Sequence, residues 1–175
     1  METAVFGGGC FWCYEAIFAR LKGVESAVSG YAGGAWKDPD YDNVSMGRTG
    51  HAEVVQVTYD PAVISYESLL DIFFHIHDPT QVDRQGADVG TQYRSIILTT
   101  SEAQREAAEA MIRELNASSE FFEPIATQVQ MLDQFYTADA YHQKYYDSNP
   151  DQMYCSLVIQ PKIVKFLEKY KALTK

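Results

Sequence analysis

Ala52-Glu53-Val54-Val55-Gln56-Val57-Thr58-Tyr59 is the stretch on which the reading of the fold turns. Val55, Val57 and Tyr59 fall on one side of an extended chain and Gln56 and Thr58 on the other. This is the pattern of a strand with one buried face, and Asp60-Pro61 ends it. By the same period of two, Glu53 shares the side of Val55, Val57 and Tyr59. Two readings of that carboxylate stand side by side. It is a desolvated acid whose raised pKa keeps it protonated near neutral pH, or a strand-end side chain that escapes to solvent.

Downstream of this strand, Ser65 is placed to cap a helix that runs to about Ile76, with Ser68 the third residue on. Leu69, Leu70, Ile72, Phe73 and Ile76 supply its buried stripe. His77 to Gln92 is long, polar and turn-rich, as functional or disordered loops are. A strand over Tyr93–Leu98, an amphipathic helix over Glu102–Asn116 and a strand over Ile125–Leu132 follow. Thr137 is expected to cap a helix carrying Tyr141, His142, Tyr145 and Tyr146. Ile163, Phe166, Leu167, Tyr170 and Leu173 recur at helical spacing in a closing helix.

Upstream, Thr3–Phe6 reads as a short buried strand closed by Gly7, Gly8 and Gly9. Cys10–Leu21 reads as a helix stopped at Gly23, and Val24–Tyr31 as a second strand. A polar loop with Trp36 and Tyr41 fills the space from Gly33-Gly34 to Thr49. Strands and helices without a regular parallel alternation predict an α+β fold with helices mainly on one face of a sheet. No repeat, low-complexity tract or linker divides the 175 residues, so a single domain over 1–175 is expected.

Composition narrows the function classes. Lys and Arg number 14 against 24 Asp and Glu, a formal net charge of −10. That sign argues against DNA, RNA or an anionic membrane surface as the partner, because phosphate binding runs on Lys and Arg. No apolar run is long enough to cross a bilayer, and Met1–Phe6 lacks the basic start and apolar core of a signal peptide, so a cytoplasmic location is expected. Three cysteines are too few for a disulfide framework and point to redox or nucleophilic chemistry.

That chemistry centres on Gly7-Gly8-Gly9-Cys10-Phe11-Trp12-Cys13. Glycines between strand and helix let the backbone turn sharply and approach a ligand. A cysteine at the first helical turn faces unpaired N–H groups and the positive end of the helix dipole, so its thiol pKa is expected to fall. Cys13, one turn on, is either a resolving thiol or a small buried hydrophobe. Phe11 and Trp12 point in different directions, so at least one is expected to line a pocket over Cys10. In Gln85–Arg94, Gly86 and Gly90 let Asp88 fold back toward a site, and Tyr93 offers a hydroxyl. His51, His75, His77 and His142 lack the ligand spacing of structural zinc, and no metal is expected.

These residues resemble the A-type peptide-methionine sulfoxide reductases, which act on the S epimer. Gly9-Cys10-Phe11-Trp12 is similar to the family's nucleophile motif. The likeness continues through Gly30-Tyr31-Ala32-Gly33-Gly34, Thr49-Gly50-His51-Ala52-Glu53, His77-Asp78-Pro79-Thr80, Gly90-Thr91-Gln92-Tyr93-Arg94 and Tyr141-His142-Gln143. The resemblance implies Cys10 as the nucleophile that becomes a sulfenic acid, and Glu53 as the acid that protonates the sulfoxide oxygen. It implies Tyr41 and Tyr93 as hydroxyls bonded to that oxygen, Asp88 as a polarising carboxylate, and Phe11 and Trp12 as the wall around the substrate methyl. It implies a ferredoxin-like two-layer α/β plait with long loops and an extended C-terminal segment from about 148 to 175. It also implies no bound cofactor, thioredoxin or a similar dithiol as reductant, methionine sulfoxide in proteins or free as substrate, and a monomer. Many relatives have glycine where this chain has Cys13, and Tyr154-Cys155 resembles the start of the family's cysteine-bearing tail, so Cys13, Cys155 or both in relay are the candidate resolving thiols. A rival reading is a thioredoxin-like dithiol–disulfide oxidoreductase built on Cys10-x-x-Cys13, which leaves Glu53 and Tyr41 without roles.

Overall fold

The computed structural model describes residues 1–175. In chain order its elements are β1 (Glu2–Gly7), α1 (Phe11–Phe18), β2 (Val24–Ala32), α2 (Tyr41–Ser45), β3 (Ala52–Tyr59) and α3 (Tyr66–His75). The two-residue strands β4 (Arg84–Gln85) and β5 (Asp88–Val89) follow, then β6 (Ile96–Thr99), α4 (Glu102–Ala117), β7 (Gln128–Met131), β8 (Tyr136–Thr137), α5 (Tyr145–Ser148) and α6 (Gln160–Tyr170). The architecture is α+β. Six strands form a mixed sheet in the order β7-β6-β1-β3-β2-β8, antiparallel throughout except for the parallel pair β6 and β7.

The alternation in β3 sorts two cores. Val55, Val57 and Tyr59 join Ala4, Phe6, Tyr31 and Ile97 on the face covered by α1, α3 and α6, in a cluster of 31 buried residues. Phe6 stacks between Phe18 and Phe73, with ring centroids 5.3 and 5.1 Å away. The opposite face holds a smaller apolar cluster of six buried residues, among them Val5, Val54 and Leu98, with Leu132 and Phe135 packed against them. Ser65 caps α3 as expected, its hydroxyl accepting from the Ser68 N–H. No helix is long and apolar enough to cross a membrane.

Four local expectations are corrected. Tyr93–Ser95 is not strand: Thr91–Tyr93 is a 3-10 turn, and the Arg94 guanidinium ties that turn to the Gly50 carbonyl and the Gln128 side chain. Pairing therefore begins at Ile96, opposite Gly7. Thr137 caps no helix, because Tyr136 and Thr137 pair with Tyr31 and Gly30 as an edge strand. The tyrosine-rich helix shrinks to Tyr145–Ser148. The 34–49 loop contains α2, capped by Asp40 accepting from the Asn43 N–H at 2.8 Å.

The topology brings the chemistry to one end of the sheet. β1 ends where β3 begins, β2 ends opposite the start of β3, and β6 starts beside the end of β1. Cys10, Glu53, Tyr31 and Tyr93 therefore all leave the sheet at the same rim.

Candidate active site

The glycine run before Cys10 is a packing requirement. A Cβ on Gly7 would lie 2.6 Å from the Glu53 carbonyl oxygen and 2.9 Å from Val54, so β1 approaches β3 more closely than any side chain allows. Gly9 has φ +122°, a conformation L residues rarely adopt. Gly7→Ala is expected to destabilise the fold by about 1–3 kcal/mol through overpacking, read as a lower urea midpoint.

Cys10 is the extended N-cap of α1 and half-buried, while Phe11 is buried and Trp12 half-buried. Glu53 is only 2% exposed, and its Oε1 accepts from the Phe11 N–H at 3.2 Å. Burial pushes the Glu53 carboxyl up to about 8; the Phe11 N–H pulls it down and the nearby Asp88 pushes it further up. Of the two readings of Glu53, the desolvated acid is the one that holds, protonated at neutral pH.

The expected fall in the Cys10 pKa is corrected. Burial holds the thiol well above its ordinary value, reinforced by Glu53, Cys13 and Asp88 and opposed by the Trp12 N–H. The first N–H of α1 serves Glu53 rather than Cys10, and an eight-residue helix adds little beyond its terminal amides. Cys10 and Glu53 are thus coupled: an ionised Glu53 discourages the thiolate, and a protonated one removes that penalty.

Tyr41, Tyr93 and Asp88 join the same electrostatic neighbourhood. Burial raises the Tyr41 and Tyr93 hydroxyls, with Glu53 the next cause for each and Cys10 a smaller one. Asp88 sits on the β4–β5 hairpin, where Gln85 pairs with it across the Gly86-Ala87 turn. Its Oδ2 accepts from the Tyr154 hydroxyl at 2.6 Å.

Sequence reasoning did not assign Tyr154, Tyr145 or Tyr31 to the site, and considered His142 only as a metal ligand. Trp12 stacks on Tyr145 at 3.8 Å between centroids and 10° between planes. Its Nε1–H donates to His142 Nδ1 at 3.2 Å, so His142 carries its proton on Nε2, a buried N–H without a protein partner. The His142 ring lies 5.4 Å from Phe11 and 4.4 Å from Tyr41. The Tyr31 hydroxyl, also buried and unpartnered, belongs to the residue opposite Glu53 across β2 and β3. The density of Tyr and His over 141–154 was the available signal.

The other histidines hold the backbone. His51 accepts from the Gly34 N–H at Nδ1 and donates from Nε2 to the Trp36 carbonyl, which fixes the approach to Glu53. His77 lies between the Phe73 carbonyl and Ser95 Oγ, and burial lowers its pKa to about 3. No group of three or more His, Cys, Asp or Glu side chains is placed to hold a metal ion.

A carboxylic acid neutral at pH 7, beside a cysteine at a helix start and under an aromatic wall, suits a substrate oxygen that must be protonated as sulfur attacks. The family profile described as peptide methionine sulfoxide reductase matches residues 2–174. The chain belongs to that family. Among peptide methionine sulfoxide reductases, the MsrA of Natronomonas pharaonis is 54% identical over 168 residues, covering 96% of this chain and 94% of the relative. Mxr1 of Saccharomyces cerevisiae in reduced form superposes with a TM-score of 0.80 at 36% identity, covering 88% of each chain. Mxr1 in complex with Trx2 superposes with a TM-score of 0.56 at 28% identity, covering 82% of this chain and 84% of the other. As a peptide methionine sulfoxide reductase the chain is an oxidoreductase acting on methionine sulfoxide. The dithiol–disulfide oxidoreductase reading is not favoured.

Proposed function

We propose that this reductase acts on the S epimer of methionine sulfoxide, in proteins or free, through Cys10 with Glu53 as general acid. The observation that carries the reading is the buried Glu53 carboxyl, held by the Phe11 N–H at the start of the helix that Cys10 caps. Cys10 Sγ attacks the sulfoxide sulfur while Glu53 gives its proton to the oxygen. In the adduct the hydroxyl passes from the substrate sulfur to Cys10 Sγ as the new sulfur–sulfur bond breaks, which leaves Cys10 as a sulfenic acid and releases methionine as the thioether. The proton lost by the Cys10 thiol replaces the one Glu53 gave, so the acid is ready for the next substrate. Tyr41 and Tyr93 hydrogen-bond the sulfoxide oxygen, Asp88 polarises the site through Tyr154, and Phe11 and Trp12 wall the substrate methyl.

The resolving thiol in this reading is Cys13. Its N–H donates to the Cys10 carbonyl at 3.2 Å, one turn away, and its thiol, pushed up by burial to about 11, is drawn back toward ionisation by Lys162. Cys155 is buried, and burial alone raises it, without a contribution from either other thiol. Attack of Cys13 sulfur on the sulfenic acid forms the disulfide and releases water. Thioredoxin or a similar dithiol then reduces that disulfide, a partner suggested by the Mxr1–Trx2 complex. Cys13→Ala is expected to keep one methionine per chain in a first turnover, yet to lose about tenfold or more in steady-state turnover with thioredoxin. Cys155→Ala keeps a Cys10–Cys13 disulfide in peptide maps. A wild-type map showing Cys10 joined to Cys155 would overturn the assignment.

Further parts of the reading concern form and setting. The order β6-β1-β3-β2, with α1 and α3 as its crossovers, supports a ferredoxin-like plait. The chain forms one catalytic domain over 1–175, with about 148–175 as its C-terminal segment. It works as a cytoplasmic monomer without a bound cofactor, and its net charge of −10 keeps it from nucleic acid and anionic membranes. The test is a single turnover: the reduced protein, without added reductant, is mixed with each separate epimer of a methionine sulfoxide peptide. Methionine from the S epimer alone is expected; methionine from the R epimer alone, or from neither, refutes the proposal.

A further inference from the structure

We propose that Glu15 is a positioning residue that holds the aromatic wall of the substrate pocket through the backbone of Lys144. Trp12 and Glu15 lie three residues apart on α1 and so share a helix face. Both meet the start of α5. The Trp12 ring stacks on Tyr145, and Glu15, only 3% exposed, takes the N–H of the residue before it. Both carboxylate oxygens accept from the Lys144 N–H, at 2.8 and 2.7 Å.

That N–H needs a holder. Lys144 has φ 52° and ψ 34°, a left-handed conformation unfavourable for a residue with a Cβ. It is the N-cap of a four-residue helix with no side-chain cap of its own. The other polar ties to α5 come from Arg20, just past the end of α1: a salt bridge to Asp147 at 3.1 Å, whose side chains are 31% and 56% exposed, and a cation–π contact over the Tyr146 ring at 5.6 Å. Exposed pairs of this kind hold little, so the buried carboxylate is the fastening that sets where α5 begins. Tyr145 follows at once, and with it the plane on which Trp12 rests while its Nε1–H reaches His142. Glu15 touches no reacting atom. Its effect on the reaction passes through Lys144, Tyr145 and Trp12.

The inference rests on Trp12 walling the substrate pocket, and the experiment separates the two. In a Trp36→Phe background Trp12 is the sole tryptophan, so its fluorescence reports the stack on Tyr145. Glu15→Ala is expected to shift Trp12 emission to the red. It should raise the half-saturating concentration of the S-epimer peptide in single turnovers about tenfold, the scale of one lost aromatic pair, with the saturated rate within about threefold of wild type. Glu15→Gln, which keeps an acceptor for the Lys144 N–H, recovers most of both. Glu15→Leu, which fills the same buried space without an acceptor for the Lys144 N–H, reproduces Glu15→Ala and carries the test if Glu15→Ala does not fold. Trp12→Ala raising the half-saturating concentration while Glu15→Ala and Glu15→Leu leave spectrum and affinity at wild-type values overturns the inference alone. Trp12→Ala without effect on affinity overturns the pocket reading and the inference with it.

Discussion

Cys10→Ser removes methionine formation from the reduced protein, a loss of about 10⁴-fold or more in the single-turnover rate. A serine hydroxyl at the N-cap of α1 preserves the shape of the site, including the Phe11 N–H bond to Glu53. The variant should therefore still bind the sulfoxide peptide, which separates loss of the nucleophile from loss of the pocket. Binding measured by calorimetry within about threefold of wild type, with no methionine formed, is the expected pair of results. Methionine at an ordinary rate from this variant would remove Cys10 from the chemistry.

Glu53→Gln slows the reductive step by about 10²–10⁴-fold, the usual worth of a positioned general acid. The amide still accepts from the Phe11 N–H, so the backbone stays in place while the proton donor is gone. The sign of the pH dependence follows from the carboxyl at about 8. A general acid works while protonated, so through the Glu53 contribution the wild-type rate declines as pH rises through about 8, and the variant lacks that decline. Stability runs the same way. The folded carboxyl binds its proton more tightly than the unfolded one, near 4.5, so the contribution of Glu53 to stability is lost as pH rises from about 4.5 to about 8. At pH 9 the variant should resist urea better than wild type while reducing less sulfoxide. A variant both slower and less stable at pH 9 would point to a structural role instead.

The parts of the fold legible in the sequence are those where one local signal decides. The alternation of Val55, Val57 and Tyr59 placed β3 and predicted which side Glu53 takes. Ser65 with Ser68, followed by the stripe from Leu69 to Ile76, marked α3 and its cap. Less legible were the segments whose conformation is set by distant partners. Tyr136-Thr137 are strand because Gly30 and Tyr31 offer an edge, and the Gln143 side chain then binds the Ser29 N–H together with the Ser29 and Ala138 carbonyls. α5 is four residues long and is held by Glu15 and Trp12, more than 120 positions earlier. The Asp40–Asn43 cap of α2 was readable, and the polarity of its surroundings concealed it.

The site divides along the same line. Cys10 stands out by its glycines and Glu53 by its place in the strand, and both meet at the rim where β1 ends beside the start of β3. The direction of the Cys10 pKa is not legible in the sequence, because the leading N–H of the helix start serves Glu53 rather than the thiol. Tyr154 could not be placed from sequence, since only the folded chain carries its hydroxyl to Asp88, 66 residues away.

The central claim is a Glu53 carboxyl that remains protonated at neutral pH beside Cys10. The most direct test is an infrared difference titration of wild type against Glu53→Gln, following the protonated carboxyl band from pH 5 to 10. The subtraction matters because Glu15, raised by burial to about 7, titrates in the same window and cancels between the two proteins. A band present at pH 7 and lost with a midpoint near 8 is the predicted result. A Glu53 carboxyl already ionised below pH 6 would contradict the account.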